Sequence, residues 1–211
     1  MIVAMAAPKG GTGKSTTAIH LATYAAQQGL KVVLLDLDED SRTSTEWAHL
    51  REQDRPLVIP AWEESPNQLI RMAHREGFDL VVLDTPPRTE NAVEASKLAD
   101  LTLIVVRPAF PDLRPLQRQV THIRKPFAVL LNCCPPPREG KETGIVREAR
   151  ELLETESIPC CPVALSIRAD YAHALISGEA VTEYREAGKA SDEILNLWKW
   201  VEEELKWRVD H

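Results

Sequence analysis

Nine residues, Pro8 to Thr16, read PKGGTGKST and concentrate the chemistry of this chain. An apolar run, MIVAMAA, precedes them and an alanine-rich segment follows. Strand, glycine-rich turn and helix in that order set successive backbone N–H groups around an anion. The helix end they meet carries a partial positive charge that favours phosphate. Gly10, Gly11 and Gly13 allow the backbone to approach closely, and Thr12 completes the turn. Lys14 is placed to reach β and γ phosphates, the Ser15 hydroxyl to ligate Mg²⁺, and Thr16 to meet the α phosphate. The pattern G-x-x-x-x-G-K-[ST] fails only at its first position, which is Pro8. The loop also holds a second lysine, Lys9, that a simple phosphate loop does not use.

A phosphate site of this kind needs carboxylates for the metal. The apolar run LVVLD ends in Asp84, an acid at the carboxyl edge of a strand, where ligands bind in open α/β sheets. LLDLDED offers Asp36 and Asp38, two apart, so both can face the same way. One of them would support Mg²⁺ and the other would orient an attacking water. Asp40 or Ser41 could also cap the helix that follows. Further along, Arg114, Arg118, His122 and Lys125 are spaced as one stripe of a helix over 112–125, opposite Leu113, Leu116, Val120 and Ile123. The stripe reads either as a solvated face or as a phosphate-contact surface.

These residues must be positioned by a frame, and the apolar pattern supplies one. Runs at 2–7, 31–38, 80–87, 101–108, 127–134 and 161–167 are near-continuous rather than alternating. Strands buried on both faces look like this, and such strands belong to parallel sheets. Segments 15–28, 112–125, 142–155 and 191–207 have helical spacing, and residues 55–62 offer a further short strand. The expectation is an α/β fold: a doubly wound, mostly parallel sheet with helices on both faces, forming one domain over 1–211. Residues 133–144, rich in proline and glycine, read as a mobile loop.

The chain has 211 residues, 44% hydrophobic and 27% charged, with a net charge of -7. That balance argues against a globally basic nucleic-acid binder and leaves a local basic surface open. No apolar run approaches the ~20 residues that span a bilayer, and the N-terminal segment does not read as a secretory signal. The four cysteines form two vicinal pairs, Cys133-Cys134 and Cys160-Cys161. Neighbours on a strand point to opposite faces, so neither pair is well placed to chelate one ion. At the C-terminal end, Ile194, Trp198, Val201 and Leu205 share one helix face. Glu202, Glu203 and Glu204 accompany them and would be repelled by anionic lipid, so packing on the domain is the expected use of that helix.

KGGTGKST, then DLD after the second strand, then VVLDTPP, resembles the deviant-Walker ATPases of the ParA/MinD family. ADLTLIVVRPAFPDLRPL and SIRADYAHALISGEAVTEY are similar to later segments of the same family. The resemblance covers nearly the whole chain and leans toward small ParA-type partition proteins, because only seven residues precede the loop. It implies a cytoplasmic, nucleoid-associated ATPase that binds Mg²⁺ and ATP. In its ATP state such a protein is a homodimer that binds DNA non-specifically and is switched with a centromere- or cargo-binding adaptor protein, with no membrane partner. It also implies residue roles. Lys9 matches the family's signature lysine, which crosses to the other subunit's phosphates. Lys14 matches the loop lysine, Ser15 the Mg²⁺ ligand, Asp38 the water-orienting acid and Asp84 the Walker B acid. DLDED departs from the family's usual Asp-Pro-Gln after the second aspartate, so Glu39 and Asp40 make the local turn distinctive. The chain lacks the [NT]-K-x-D device that reads guanine. The resemblance implies adenine instead, held near Asn132 and the loop in the 160s. Asn132 is equally suited to a strand-end turn.

Overall fold

A computed structural model describes the backbone of residues 1–209 and side chains as far as Lys206. The apolar runs become seven strands: β1 (Ile2–Ala6), β2 (Val32–Asp36), β3 (Leu57–Pro60), β4 (Leu80–Asp84), β5 (Leu101–Val106), β6 (Phe127–Cys134) and β7 (Cys160–Ser166). They form one sheet in the order β3-β2-β4-β1-β5-β6-β7. Every pairing in it is parallel. The helices are α1 (Lys14–Gln27), α2 (Thr43–Leu50), α3 (Pro66–Arg75), α4 (Thr89–Leu98), α5 (Phe110–Leu113), α6 (Leu116–Val120), α7 (Gly144–Thr155), α8 (Ala169–Ile176), α9 (Val181–Tyr184) and α10 (Lys189–Val209).

The period-two geometry of the strands sorts the core into layers. Val3, Met5, Leu34, Val82 and Leu103 face one side, where they meet Ile19 and Ala22 of α1 and Ile194, Trp198 and Val201 of α10. Ala4, Val33, Leu35 and Leu83 face the other side, against Leu69 and Ile70 of α3 and Ala95 of α4. Ile104, Val129 and Leu131 meet Val146 and Leu153 of α7 there. The doubly wound expectation therefore holds, with helices on both faces. The apolar stripe of α10 is consumed by the core, with Ile194 and Val201 fully buried. Among the described residues, no helix is long and apolar enough to cross a membrane.

One expected helix is not formed as such. The segment 112–125 splits into α5 and α6, and the chain leaves helical structure after Val120. Pro115 sits at the break and has no N–H to donate, and Pro126 disfavours helix at Lys125. The four basic residues consequently do not form one stripe. Arg114 and Arg118 line a single groove of about 900 Å³ together with Phe110 and Leu152. Lys125 lies instead in a separate pocket at the amino ends of β1, β5 and β6, beside Met1, Asp100 and Pro126. Each vicinal cysteine pair has one buried and one half-buried thiol, all four free. Burial pushes the Cys134 and Cys161 thiols up to about 12.

Candidate nucleotide site

Strand β1 is flanked by β4 on one side and β5 on the other, so the strand order reverses around it. Its carboxyl end delivers the loop Pro8–Gly13 into α1, at the place where open α/β sheets bind ligands. Gly13 stands at the N-cap of α1 with φ 83°, a conformation that favours glycine. A Cβ there would also collide with Asn132 Nδ2. The N–H groups of Gly10, Gly11 and Gly13 donate to no backbone or side-chain acceptor among the described residues. Thr12 Oγ1 is buried without a partner among the described residues. Unpaired donors at a helix start make an anion cradle.

Lys14 is 6% exposed. Its ammonium donates to Asp84 Oδ1 at 2.8 Å and to Ser15 Oγ at 3.3 Å. One cationic group thus already bridges a hydroxyl and a carboxylate, the hard oxygen donors that suit Mg²⁺. Asp84 Oδ2 accepts a hydrogen bond from Ser44 Oγ at 2.8 Å. Asp36 lies opposite Asp84 in the β2–β4 register and is fully buried. Its Oδ2 accepts from Thr45 N and Thr45 Oγ1, both at 2.9 Å, and its Oδ1 accepts from Asp38 N at 3.1 Å. Burial first, and then the nearby Asp84 charge, holds the Asp36 carboxyl above the usual carboxylate range.

Asp38 is 4% exposed and follows β2. Its Oδ1 accepts from Ser41 N at 3.2 Å and so closes the DLDED turn, leaving Glu39 and Asp40 in solvent. Neither Asp40 nor Ser41 caps α2. Arg42 stands at that N-cap in the left-handed region, with φ 47°. The strand carboxylate of Asp36 takes the helix N–H at Thr45 instead.

Lys9 is a surface residue with two partners in its own chain. Its ammonium donates to the Pro111 carbonyl at 2.6 Å and to Asp112 Oδ1 at 2.9 Å. Asn132 braces the loop: its Nδ2 donates to the Thr12 carbonyl at 2.8 Å, and its Oδ1 accepts from Cys133 N at 2.7 Å. It also lines a cavity of about 270 Å³ with Thr16, Cys133, Arg168 and Tyr171, between the start of α1 and the ends of β6 and β7. Glu193 of α10 fixes that wall. It accepts from Arg168 Nη2 at 2.7 Å, Ser166 Oγ at 2.7 Å and Tyr171 OH at 3.0 Å.

The structure therefore gathers Gly10, Gly11, Thr12, Gly13, Lys14, Ser15, Thr16, Asp36, Asp38, Asp84 and Asn132 at one end of the sheet. It adds Ser44, Thr45, Glu193 and Arg107, whose guanidinium donates to the Gly11 carbonyl, none of which sequence reasoning singled out. Ser44 is 40 residues from Asp84, and Glu193 is 27 from Ser166, so no local pattern announced either pair.

The family model for the CobQ/CobB/MinD/ParA nucleotide binding domain matches residues 3–162. The chain is 31% identical over 211 residues to the maintenance of carboxysome distribution protein A of Gloeobacter kilaueensis, covering 98% of this chain and 95% of that one. It is 33% identical over 127 residues to the chromosome-partitioning ATPase Soj of Thermus thermophilus, covering 45% of this chain and 51% of Soj. In fold it matches the MinC:MinD cell division complex of Aquifex aeolicus with a TM-score of 0.75 at 19% identity, covering 95% of this chain and 94% of that one. A loop with two lysines, an acid at the end of β4 and a match across most of the chain converge: this protein belongs to the ParA/MinD family of nucleotide-binding ATPases.

Proposed function

We propose that the protein is a ParA-type ATPase that positions a cargo by cycles of ATP binding and hydrolysis. The observation that carries this is the loop itself: unpaired N–H groups, the buried Lys14, and an exposed Lys9 on the same rim. Lys14 would hold the β and γ phosphates. Ser15 and Asp84 would hold Mg²⁺, with Asp36 behind them fixing the start of α2. The metal, when bound, supplies charge neutralisation at the phosphate oxygens. Asp38 would orient the attacking water and receive its proton. Asn132 and the neighbouring cavity would take the adenine.

In this reading Lys9 leaves Asp112 and reaches the phosphates of a second subunit. Two loops face to face bring dense negative charge together, and a cation from each side offsets it. The ATP-bound homodimer would bind DNA non-specifically, with Arg114 and Arg118 as contact residues, and an adaptor protein would trigger hydrolysis. The protein would act in the cytoplasm, on the nucleoid. Because a carboxysome distribution protein matches nearly the whole chain, a protein-based cargo is a second reading beside a plasmid or chromosome region.

Asp38→Ala tests the cycle. ATP affinity should hold, because Lys14, Ser15 and Asp84 remain. Turnover should fall about 10²-fold, the scale of a lost proton-handling group. Size-exclusion chromatography should show a long-lived dimer with ATP and a monomer with ADP. A variant that stays monomeric with ATP and hydrolyses at the wild-type rate would overturn the assignment.

A further inference from the structure

Arg107 is the first residue after β5. Because β5 pairs with β1, its side chain emerges beside the phosphate loop. Its guanidinium Nη2 donates to the carbonyl oxygen of Gly11. A Cβ on Gly11 would lie 3.2 Å from that same nitrogen, so the guanidinium is packed against the loop and not merely near it. Lys9 makes the reverse connection, from the loop to Pro111 and Asp112 in the segment that follows Arg107. The two rim cations differ in their partners. Lys9 has a carboxylate, whereas Arg107 is spent on a neutral carbonyl, and no carboxylate pairs with it among the described residues.

We propose that Arg107 is a further phosphate-binding residue of this site, leaving the Gly11 carbonyl for the terminal phosphate of a nucleoside triphosphate held on the same loop. The inference rests on the nucleotide reading above. An arginine bonded to a carbonyl gains when an anionic oxygen replaces it, because the guanidinium then faces a full opposite charge instead of a dipole. The planar fork can keep one N–H on the loop while another meets phosphate. Gly11 and Arg107 are both exposed, so a triphosphate held on the loop can reach the guanidinium from the solvent side. A diphosphate lacks the group that Arg107 would hold. The consequence is discrimination: Arg107 would make the loop prefer triphosphate over diphosphate in the monomer, before any second subunit arrives.

Calorimetry on dilute monomer, with Mg²⁺ and either a non-hydrolysable ATP analogue or ADP, tests this. Arg107→Ala should weaken analogue binding by about 10- to 100-fold, the range for a hydrogen bond to a charged group. ADP binding should change by less than about threefold. Arg107→Lys should recover only part of the loss, because an ammonium cannot fork. Melting curves of each variant without nucleotide report on the fold, and the ratio of the two affinities is internal to each variant. An unchanged ratio in Arg107→Ala would overturn the inference while leaving the nucleotide reading intact. So would equal weakening of both ligands, which would make Arg107 a brace of the loop. Wild-type protein that binds neither nucleotide, in the same way as a Lys14→Ala control, would overturn the nucleotide reading and the inference together.

Discussion

At the scale of single residues, the two lysines of the loop are set apart by their partners. Lys14 is buried and bonded to a fully buried carboxylate, and Lys9 is 46% exposed and bonded to a half-buried one. Removing Lys14 has two effects. On the nucleotide reading it would take the counter-charge from the phosphates, and it leaves Asp84 buried without its cation, a change that costs about 3–5 kcal/mol in comparable pairs. Lys14→Ala should therefore lose at least about 100-fold in ATP affinity and melt earlier. Adding Asp84→Asn should restore stability without restoring binding. Lys9→Ala should leave monomer affinity within about threefold, as a rim charge screened by solvent allows, yet abolish the ATP-dependent dimer and its turnover. Calorimetry beside light scattering separates the two cases. Equal loss of ATP affinity in both single variants would end the division of labour. The loop residues were legible because glycine, lysine and hydroxyl spacing is itself the signal. Ser44, Arg107 and Glu193 were not, because each acts across a fold-dependent distance on a residue far away in sequence.

At the scale of elements, the strands were legible for a physical reason. A strand covered on both faces has to be apolar throughout, and β1, β2 and β4 are buried at every position. The helix over 112–125 was misread because apolar spacing alone does not register a proline break; Arg114 and Lys125 separated as a result. Packing also hides a titration inside α1. His20 is fully buried, its Nδ1 accepts from Val181 N of α9 at 3.3 Å, and its ring lies 5.2 Å from Tyr171 of α8. Burial lowers its pKa from 6.5 to about 3. The unfolded chain then binds a proton that the folded protein refuses between those two values. Stability from this group is complete above pH 6.5 and is lost as pH falls toward 3. One such histidine should cost about 2 kcal/mol between pH 7 and pH 5. His20→Gln, which keeps an acceptor for Val181, should flatten that slope in urea titrations at the two pH values. A variant that loses stability between them as steeply as wild type would show that His20 is not the group responsible.

At the scale of the whole molecule, the question is how a chain of net charge -7 would hold DNA. The excess negative charge has to be local elsewhere, since exposed charges are screened beyond about 8 Å at physiological salt. Arg114 and Arg118 line one groove between the α5–α6 segment and α7, and Arg114 lies over the Phe110 ring at 5.6 Å. That segment also carries Asp112, the partner of Lys9. Release of Lys9 into a dimer would free the same segment, which ties the proposed DNA surface to the nucleotide state. Lys125, in a separate pocket at the amino ends of β1, β5 and β6, is outside this arrangement. The prediction follows from that separation. Wild-type protein with ATP should bind duplex DNA with an affinity that falls steeply with salt, by a log–log slope of about -0.9 per phosphate neutralised. Arg114→Glu with Arg118→Glu should weaken binding at least about tenfold and make the slope shallower by about 1.8 if each arginine neutralises one phosphate. Lys125→Glu should leave both quantities nearly unchanged, and ATP binding should survive in all variants. Fluorescence anisotropy of a labelled duplex across a salt series reads affinity and slope together. If the double reversal keeps the wild-type slope while Lys125→Glu loses it, the contact surface lies at the amino ends of the strands, and nucleotide control of DNA binding would need a route that does not pass through Lys9 and Asp112.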